Sequence, residues 1–188
     1  LCNTKIDMIE MNISCPNVKK GGVAFGVEPR DVENITKEIK KHCKKPLIVK
    51  LTPNVSNIAD NAKAAEEGGA DCISLINTLK GMAIDYKTKK PILANIIGGL
   101  SGRAIKPVAL RMVYECYQAV KIPIIGIGGI SDFIDAIEFM LAGASAIQVG
   151  TENMINPMAS VQIIEGLEKY CNENKVNSIN ELVGGLIT

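Results

Sequence analysis

Histidine is almost absent from this sequence of 188 residues, which contains only His42. His42 lies in a lysine-rich stretch that reads as an exposed helix end, so a catalytic or metal-binding role for histidine is disfavoured. Cysteine, lysine, aspartate and glutamate therefore remain as the candidates for proton transfer.

Paired cysteines are also lacking, because the six cysteines are scattered and none forms a C-x-x-C pair. This spacing argues against a zinc or iron–sulfur site built by this chain alone, and against a small disulfide scaffold. We therefore expect no metal site in this chain, and we expect the reducing cytoplasm as its compartment.

Strong net charge and long apolar runs are missing as well. The net charge is +1, which gives no indication of a nucleic acid or an anionic membrane surface as partner. No apolar run approaches the length of a membrane-spanning helix. Hydrophobic residues make up 47% and charged residues 22% of the chain, which is typical of a soluble globular protein.

What the sequence does contain is a repeated alternation of strand and helix signals, which predicts a parallel sheet wrapped by helices. The predicted strands are 7–14, 47–51, 71–76, 123–127 and 146–149, and the predicted helices begin at Pro29 and span 56–67, 107–120, 131–141 and 157–170. Residues 79–102 interrupt the alternation with a predicted polar hairpin at 85–91 and a loop at 98–102. No linker divides the chain, so residues 1–188 are predicted to form a single domain.

The first polar cluster, Asn12-Ile-Ser-Cys-Pro-Asn17, closes the first predicted strand. The alternation of side chains along a strand puts Glu10, Asn12 and Ser14 on one face. Asn12 is expected to point toward the axis of a barrel formed by the sheet. Cys15 follows in the loop, where a thiol can act as a base if its surroundings favour proton transfer. A structural cysteine beside turn-forming asparagines explains the same residues equally well.

Lys50 ends the next strand, which is otherwise apolar. A buried ammonium is unfavourable unless an anionic or electron-rich group meets it, and the alternative is that the side chain extends to solvent. Asn77 and Thr78 follow the third strand and add hydrogen-bonding groups at the same edge of the sheet, where α/β proteins bind ligands.

Glycines follow the last two predicted strands, at Gly126-Ile-Gly-Gly129 and at Gly150-Thr151. Loops after the last strands of a βα barrel often form a phosphate cradle from backbone N–H groups, and glycine permits the close approach. The alternative is that these glycines only make tight turns between packed elements.

Together these motifs resemble the dihydroorotate dehydrogenase family. The segments that carry the resemblance are Asn-Ile-Ser-Cys-Pro-Asn at 12–17, Val-Lys-Leu at 49–51, Ile-Asn-Thr at 76–78, Gly-Gly-Leu-Ser-Gly at 98–102, Gly-Gly at 128–129 and Gly-Thr at 150–151. Cysteine at position 15 is similar to the soluble class 1 enzymes. Residues 21–26 and 104–110 are most similar to the NAD-linked B-type catalytic subunit.

The resemblance implies an α/β fold of the (β/α)8 TIM-barrel family that holds FMN at its carboxyl face. It implies that Cys15 removes the C5 proton of dihydroorotate while hydride passes from C6 to the flavin. The implied substrate contacts are Asn12, Asn17, Asn77 and Thr78, and the implied FMN contacts are Asn12, Lys50, Ile76, Gly102, Gly128, Gly129, Gly150 and Thr151.

The same resemblance implies a partner subunit with FAD and a [2Fe-2S] cluster that passes electrons to NAD, in a heterotetramer built around a homodimer. The five predicted strands correspond to about five C-terminal βα units, so we expect an incomplete barrel that lacks the family's N-terminal part and binds flavin poorly by itself. Three alternatives remain open: a dihydropyrimidine dehydrogenase-like flavin domain, a flavin-free phosphate-binding barrel that acts as an aldolase or synthase, and a non-catalytic remnant.

Overall fold

The computed structural model describes residues 4–14 and 23–187, without the side chains of Val23 and Ala24. The strands are β1 (Ile9–Asn12), β2 (Leu47–Lys50), β3 (Cys72–Leu75), β4 (Leu79–Met82), β5 (Ile84–Asp85), β6 (Lys90–Pro91), β7 (Ile97–Leu100), β8 (Ile124–Ile127) and β9 (Ala146–Gln148). The helices are α1 (Val23–Gly26), α2 (Pro29–His42), α3 (Ile58–Glu67), α4 (Lys106–Tyr117), α5 (Phe133–Leu141), α6 (Thr151–Ile155) and α7 (Ala159–Asn174), and short 3-10 turns span Arg103–Ile105 and Ile179–Leu182.

Five strands form one parallel sheet in the order β1-β2-β3-β8-β9. The register aligns Asn12 with Lys50, and Lys50 with Ser74, so the carboxyl ends of the strands lie at one edge of the sheet. Helices connect these strands, as parallel pairing requires. The predicted α/β fold with a parallel sheet of five strands is therefore confirmed.

The sheet is strongly curved. Strands β1 and β9 are the first and last of the five, and would lie about 19 Å apart in a flat sheet with a spacing of about 4.8 Å. Nevertheless, Gln148 Nε2 on β9 donates a hydrogen bond of 3.2 Å to Glu10 Oε1 on β1. Two side chains reach across that span only if the sheet bends toward a barrel, as the family resemblance implied.

The apolar core lies between the convex face of the sheet and the helices. Val49 and Ile73 on neighbouring strands are fully buried there against helix residues such as Ala62, Val113 and Phe139. The helix that begins at Pro29 was predicted from its apolar positions, and its Val32 is indeed fully buried. This packing fixes the strands, and hence the polar residues that follow them.

Some sequence-based boundaries were wrong. Ser56 was predicted to cap α3, but Asn57 does so, because its side-chain oxygen accepts the Ala59 N–H at 3.1 Å. The hairpin at 85–91 is confirmed by the pairing of β5 with β6. Residues 98–102 were predicted as a loop, yet β7 pairs antiparallel with β4 as a second small sheet. In the described part of the chain, no helix is long and apolar enough to cross a membrane.

Candidate active site

A cavity of about 230 Å³ lies at the carboxyl edge of the parallel sheet. Of the site residues predicted from the sequence, all that the structure describes line this cavity, except Asn12. The full lining is Lys50, Ile76, Asn77, Thr78, Ser101, Gly102, Ile105, Ile127, Gly128, Gly129, Gly150, Thr151 and Met154. Residues from five separate segments of the chain therefore converge on one place, as a ligand site requires.

Asn12 joins the cavity through hydrogen bonds rather than by lining it. Its Oδ1 accepts from the backbone N–H of Ser14 at 3.1 Å, from Ser14 Oγ at 2.8 Å and from Asn77 Nδ2 at 3.3 Å. Asn77 Nδ2 also donates to Ser14 Oγ at 2.7 Å. The end of β1 is thus tied to the loop after β3. Cys15 and Asn17 lie outside the described residues.

Lys50 meets an anionic group, which is one of the two arrangements expected for a lysine at the end of an apolar strand. Its Nζ lies 3.9 Å from Glu10 Oε2, and its side chain is 20% exposed. Glu10 Oε1 in turn accepts a hydrogen bond of 2.6 Å from Ser74 Oγ and one from Gln148. One carboxylate on the concave face therefore contacts three other strands and holds an ammonium that lines the cavity. The sequence analysis missed this role of Glu10.

Asn77 and Thr78 are held from the opposite side by Asn54, which the sequence analysis also missed. Asn54 Nδ2 donates to the carbonyl oxygen of Thr78 at 3.0 Å, and its Oδ1 accepts the backbone N–H of Lys80 at 3.0 Å. Thr78 N–H donates to Asn77 Oδ1 at 2.7 Å. The segment that carries both candidate ligand-binding residues is therefore fixed by amide side chains.

The glycines at the cavity differ in backbone conformation and in the space beside them. Gly128 and Gly129 adopt φ values of +136° and +75°, which side chains disfavour. A Cβ atom on Gly129 would also lie 2.8 Å from the carbonyl oxygen of Gly102. A Cβ atom on Gly150 would meet nothing within 4 Å, so it would project into open space. Glycine at 150 thus leaves room beside the backbone, which is what a cradle for a ligand needs.

An ion pair lies beside the Gly128–Gly129 loop, because Gly129 packs closely against Lys106. Lys106 Nζ lies 2.5 Å from Asp135 Oδ1 and 2.6 Å from Glu138 Oε2, and Ser131 donates to Asp135 through both its N–H and its hydroxyl. Burial disfavours the charged form of Asp135, but the hydrogen bonds from Lys106 and Ser131 outweigh it and hold the pKa of Asp135 below its ordinary value. The hydrogen bonds that Lys106 donates to Asp135 and to Glu138 raise the pKa of Lys106.

Two of the described thiols, Cys72 on β3 and Cys116 on α4, have raised pKa values. Burial, with the nearby Glu10 carboxylate as a second cause, raises the pKa of Cys72 to about 11. Burial likewise raises the pKa of Cys116 to about 12. Both thiols are therefore protonated at neutral pH. Within residues 4–14 and 23–187, no group of three or more histidine, cysteine, aspartate or glutamate residues could hold a metal ion.

Comparison with known proteins decides the family. The family model described as "Dihydroorotate dehydrogenase" matches residues 2–171. The chain belongs to this family. The resemblance noted from the sequence motifs is thus confirmed.

Two curated relatives match nearly the whole length of this chain. It is 60% identical over 181 residues to a protein of Thermoanaerobacter sp. (strain X514), covering 96% of this chain and 60% of that protein. It is also 60% identical over 186 residues to a protein of Alkaliphilus oremlandii, covering 99% of this chain and 62% of that protein. Both are named "Dihydroorotate dehydrogenase B (NAD(+)), catalytic subunit". The chain therefore spans about three fifths of the length of these relatives.

A solved structure supports the fold. The dihydroorotate dehydrogenase of Eimeria tenella, solved in complex with ferulenol, superposes with a TM-score of 0.79 at 23% sequence identity. The match covers 95% of this chain and 54% of that chain. This chain thus has the same fold as the matched part of that barrel.

Proposed function

We propose that this chain supplies the catalytic site of a dihydroorotate dehydrogenase, which oxidises dihydroorotate to orotate with FMN as hydride acceptor in pyrimidine biosynthesis. The observation that supports this most is the cavity at the carboxyl edge of the sheet. It brings the ammonium of Lys50 and the amide of Asn77 together with the loops at Gly128–Gly129 and Gly150.

The residues of the cavity fit FMN. The glycine loops offer backbone N–H groups without side chains in the way, and the open space beside Gly150 suits a phosphate group. Ile76 and Ile105 supply apolar surface for a ring system. FMN, when bound, would act as the hydride acceptor. Lys50 holds a positive charge at the cavity, where it favours an electron-rich ring.

The amide side chains fit the planar, carbonyl-rich substrate. The oxygen of Asn12 accepts three hydrogen bonds, so ligand recognition falls to its NH2 group. Asn77 is oriented by its bonds to Ser14 and to the Thr78 N–H. We assign substrate binding to Asn12, Asn77 and Thr78, and we include Asn17 on the basis of the family resemblance.

We assign the base that removes the C5 proton to Cys15. It directly follows Ser14, which is buried and bonded to Asn77 at the cavity edge. A free thiol has a pKa near 8.5, so the protein must favour the thiolate for this role. Serine has a far weaker tendency to ionise, so Cys15→Ser should slow flavin reduction at least about a hundredfold near neutral pH. Stopped-flow reduction by dihydroorotate measures this rate, and equal rates in variant and parent would remove the assignment.

We further propose a partner that accepts the electrons. The relatives' name includes NAD(+) and designates a catalytic subunit, which supports a second subunit. That subunit is proposed to carry FAD and a [2Fe-2S] cluster and to pass electrons to NAD, in a cytoplasmic heterotetramer built around a homodimer of catalytic subunits.

The decisive experiment measures the visible spectrum of the purified full-length protein and its turnover of two substrates. A yellow, FMN-containing protein that oxidises dihydroorotate in preference to dihydrouracil is expected. Preference for dihydrouracil would favour the dihydropyrimidine dehydrogenase-like alternative. A colourless protein that does not respond to added FMN would favour a flavin-free aldolase or synthase.

A further inference from the structure

The side chain of Asn54 forms a two-point bridge to the strand that follows the candidate substrate loop. It donates to the carbonyl of Thr78 and accepts from the N–H of Lys80, each at 3.0 Å. These two backbone groups flank Leu79 and point to the same side of β4, since strand groups alternate in direction. One amide side chain therefore takes the place that a neighbouring strand would have, and it fixes the start of β4 immediately after Thr78.

Asn54 is itself held in place. Its Nδ2 donates to the hydroxyl oxygen of Thr52 at 3.1 Å, and its backbone N–H donates to the same oxygen at 3.2 Å. Thr52 is buried, and it lies two residues beyond Lys50. The loop that follows Lys50 therefore carries both Thr52 and Asn54, and this loop anchors the Asn77–Thr78 segment.

The other end of the segment is fixed by the sheet. The backbone N–H of Asn77 donates to the carbonyl of Leu51 at 3.1 Å, and that of Ile76 donates to Ile127 at 2.9 Å. Asn77 is thus set by backbone bonds, whereas the carbonyl of Thr78 is held by Asn54 and its N–H by the Asn77 side chain. Thr78 lines the cavity, so a shift of its backbone moves a ligand-contacting group directly.

We propose that Asn54 is a positioning residue for substrate recognition, which holds the Asn77–Thr78 segment in its binding conformation through Thr78. This inference rests on the proposed function. It predicts a specific loss: substrate and product bind less well, while FMN, which is proposed to contact Lys50 and the glycine loops, binds as before.

The test replaces Asn54 with aspartate, which has the same shape but no amide hydrogens. The carboxylate still accepts a hydrogen bond from the Lys80 N–H. Its second oxygen cannot donate to the Thr78 carbonyl oxygen, and the two oxygens repel each other because both are negative. The hydrogen bond to the Thr78 carbonyl is the one that bears on the segment, and losing one bond of ordinary strength corresponds to roughly a fivefold to tenfold effect. We expect KM for dihydroorotate and Kd for orotate to rise by about that factor, with kcat changed less than about twofold and FMN affinity unchanged.

Asn57→Asp is the matched control, because Asn57 lies in the same loop and aspartate caps a helix as well as asparagine does. Its KM and Kd values should equal those of the parent. If Asn54→Asp does not fold, Thr52→Val removes the hydroxyl that orients Asn54, and the same increase in KM is expected at a smaller size. Unchanged orotate affinity in the folded variant overturns the proposal, and so does an equal loss of FMN and orotate affinity.

A second readout is independent of the flavin. Amide hydrogen exchange at Lys80 should accelerate about tenfold or more in Asn54→Ala, because its N–H loses its acceptor, while exchange at Asn77 should stay slow. Unchanged exchange at Lys80 overturns the proposal even in a protein without FMN. A full-length parent that binds no FMN, with the exchange result as expected, removes the proposed function but leaves the anchoring by Asn54 in place.

Discussion

Replacing Asp135 with alanine should destabilise the fold by about 3 kcal/mol, because it breaks a largely buried ion pair and leaves polar groups without partners. Asp135 is 7% exposed, and the side chain of Lys106 is 26% exposed, so water offers limited compensation. Lys106 retains its contact with Glu138 at 2.6 Å, which places the loss at the lower end of the 3–5 kcal/mol typical of broken buried pairs.

Thermal unfolding measures the effect. For a chain of 188 residues, each kcal/mol corresponds to about 2–4 °C in Tm, so Asp135→Ala should lower Tm by about 6–12 °C. Glu138→Ala is the matched control, since the side chain of Glu138 is 40% exposed and its loss should change stability by less than about 1 kcal/mol. Equal Tm shifts in the two variants would refute the reasoning.

The same ion pair gives a pH dependence with a defined sign. The pKa of Asp135 is lowered by folding, so its contribution is present above the unfolded pKa near 4 and is lost as the pH falls through the folded value. The pKa of Lys106 is raised, so its contribution is present below the unfolded pKa near 10.4 and is lost as the pH rises through the folded value. The Tm difference between parent and Asp135→Ala should therefore be largest between about pH 5 and pH 10.

Four further substitutions test the cavity and the parallel sheet that carries it. Gly129→Ala should destabilise the protein by about 1–2 kcal/mol because of its φ of +75°, whereas Gly150→Ala should leave Tm unchanged and weaken FMN binding, as fluorescence titration would show. Glu10→Gln should lower the pKa of Cys72 from about 11, measured by the pH dependence of its alkylation, and an unchanged midpoint would contradict the charge effect. Lys50→Ala should lower the flavin reduction potential by about 30 mV or more, which is a tenfold change in the two-electron equilibrium, and an unchanged potential would argue against its assigned place.

The sequence was sufficient to predict the parallel sheet and most of the residues that line the cavity, because both follow from local patterns. Apolar strands such as 47–51 end in polar residues, and parallel strands bring those ends to one edge. Lys50, Asn77 and the glycine loops could therefore be grouped before their distances were known.

What the sequence did not reveal depends on contacts between distant segments. Glu10 and Gln148 are 138 residues apart, and their bond depends on the curvature of the sheet. The pairing of β4 with β7 was hidden because Gly98 and Gly99 lie in β7, and glycine is usually a turn signal. Asn54 was not singled out from the sequence, because its partners, Thr78 and Lys80, are more than 20 residues away.

The order of the five parallel strands has a consequence for how the protein is made. Each parallel strand after β1 pairs with the parallel strand that comes before it in the chain, so a segment leaving the ribosome meets a partner that has already been synthesised. Assembly can then proceed vectorially from β1 toward β9 during translation. The concave polar surface forms last in this scheme, since Gln148 reaches Glu10 only after the fifth strand has been added.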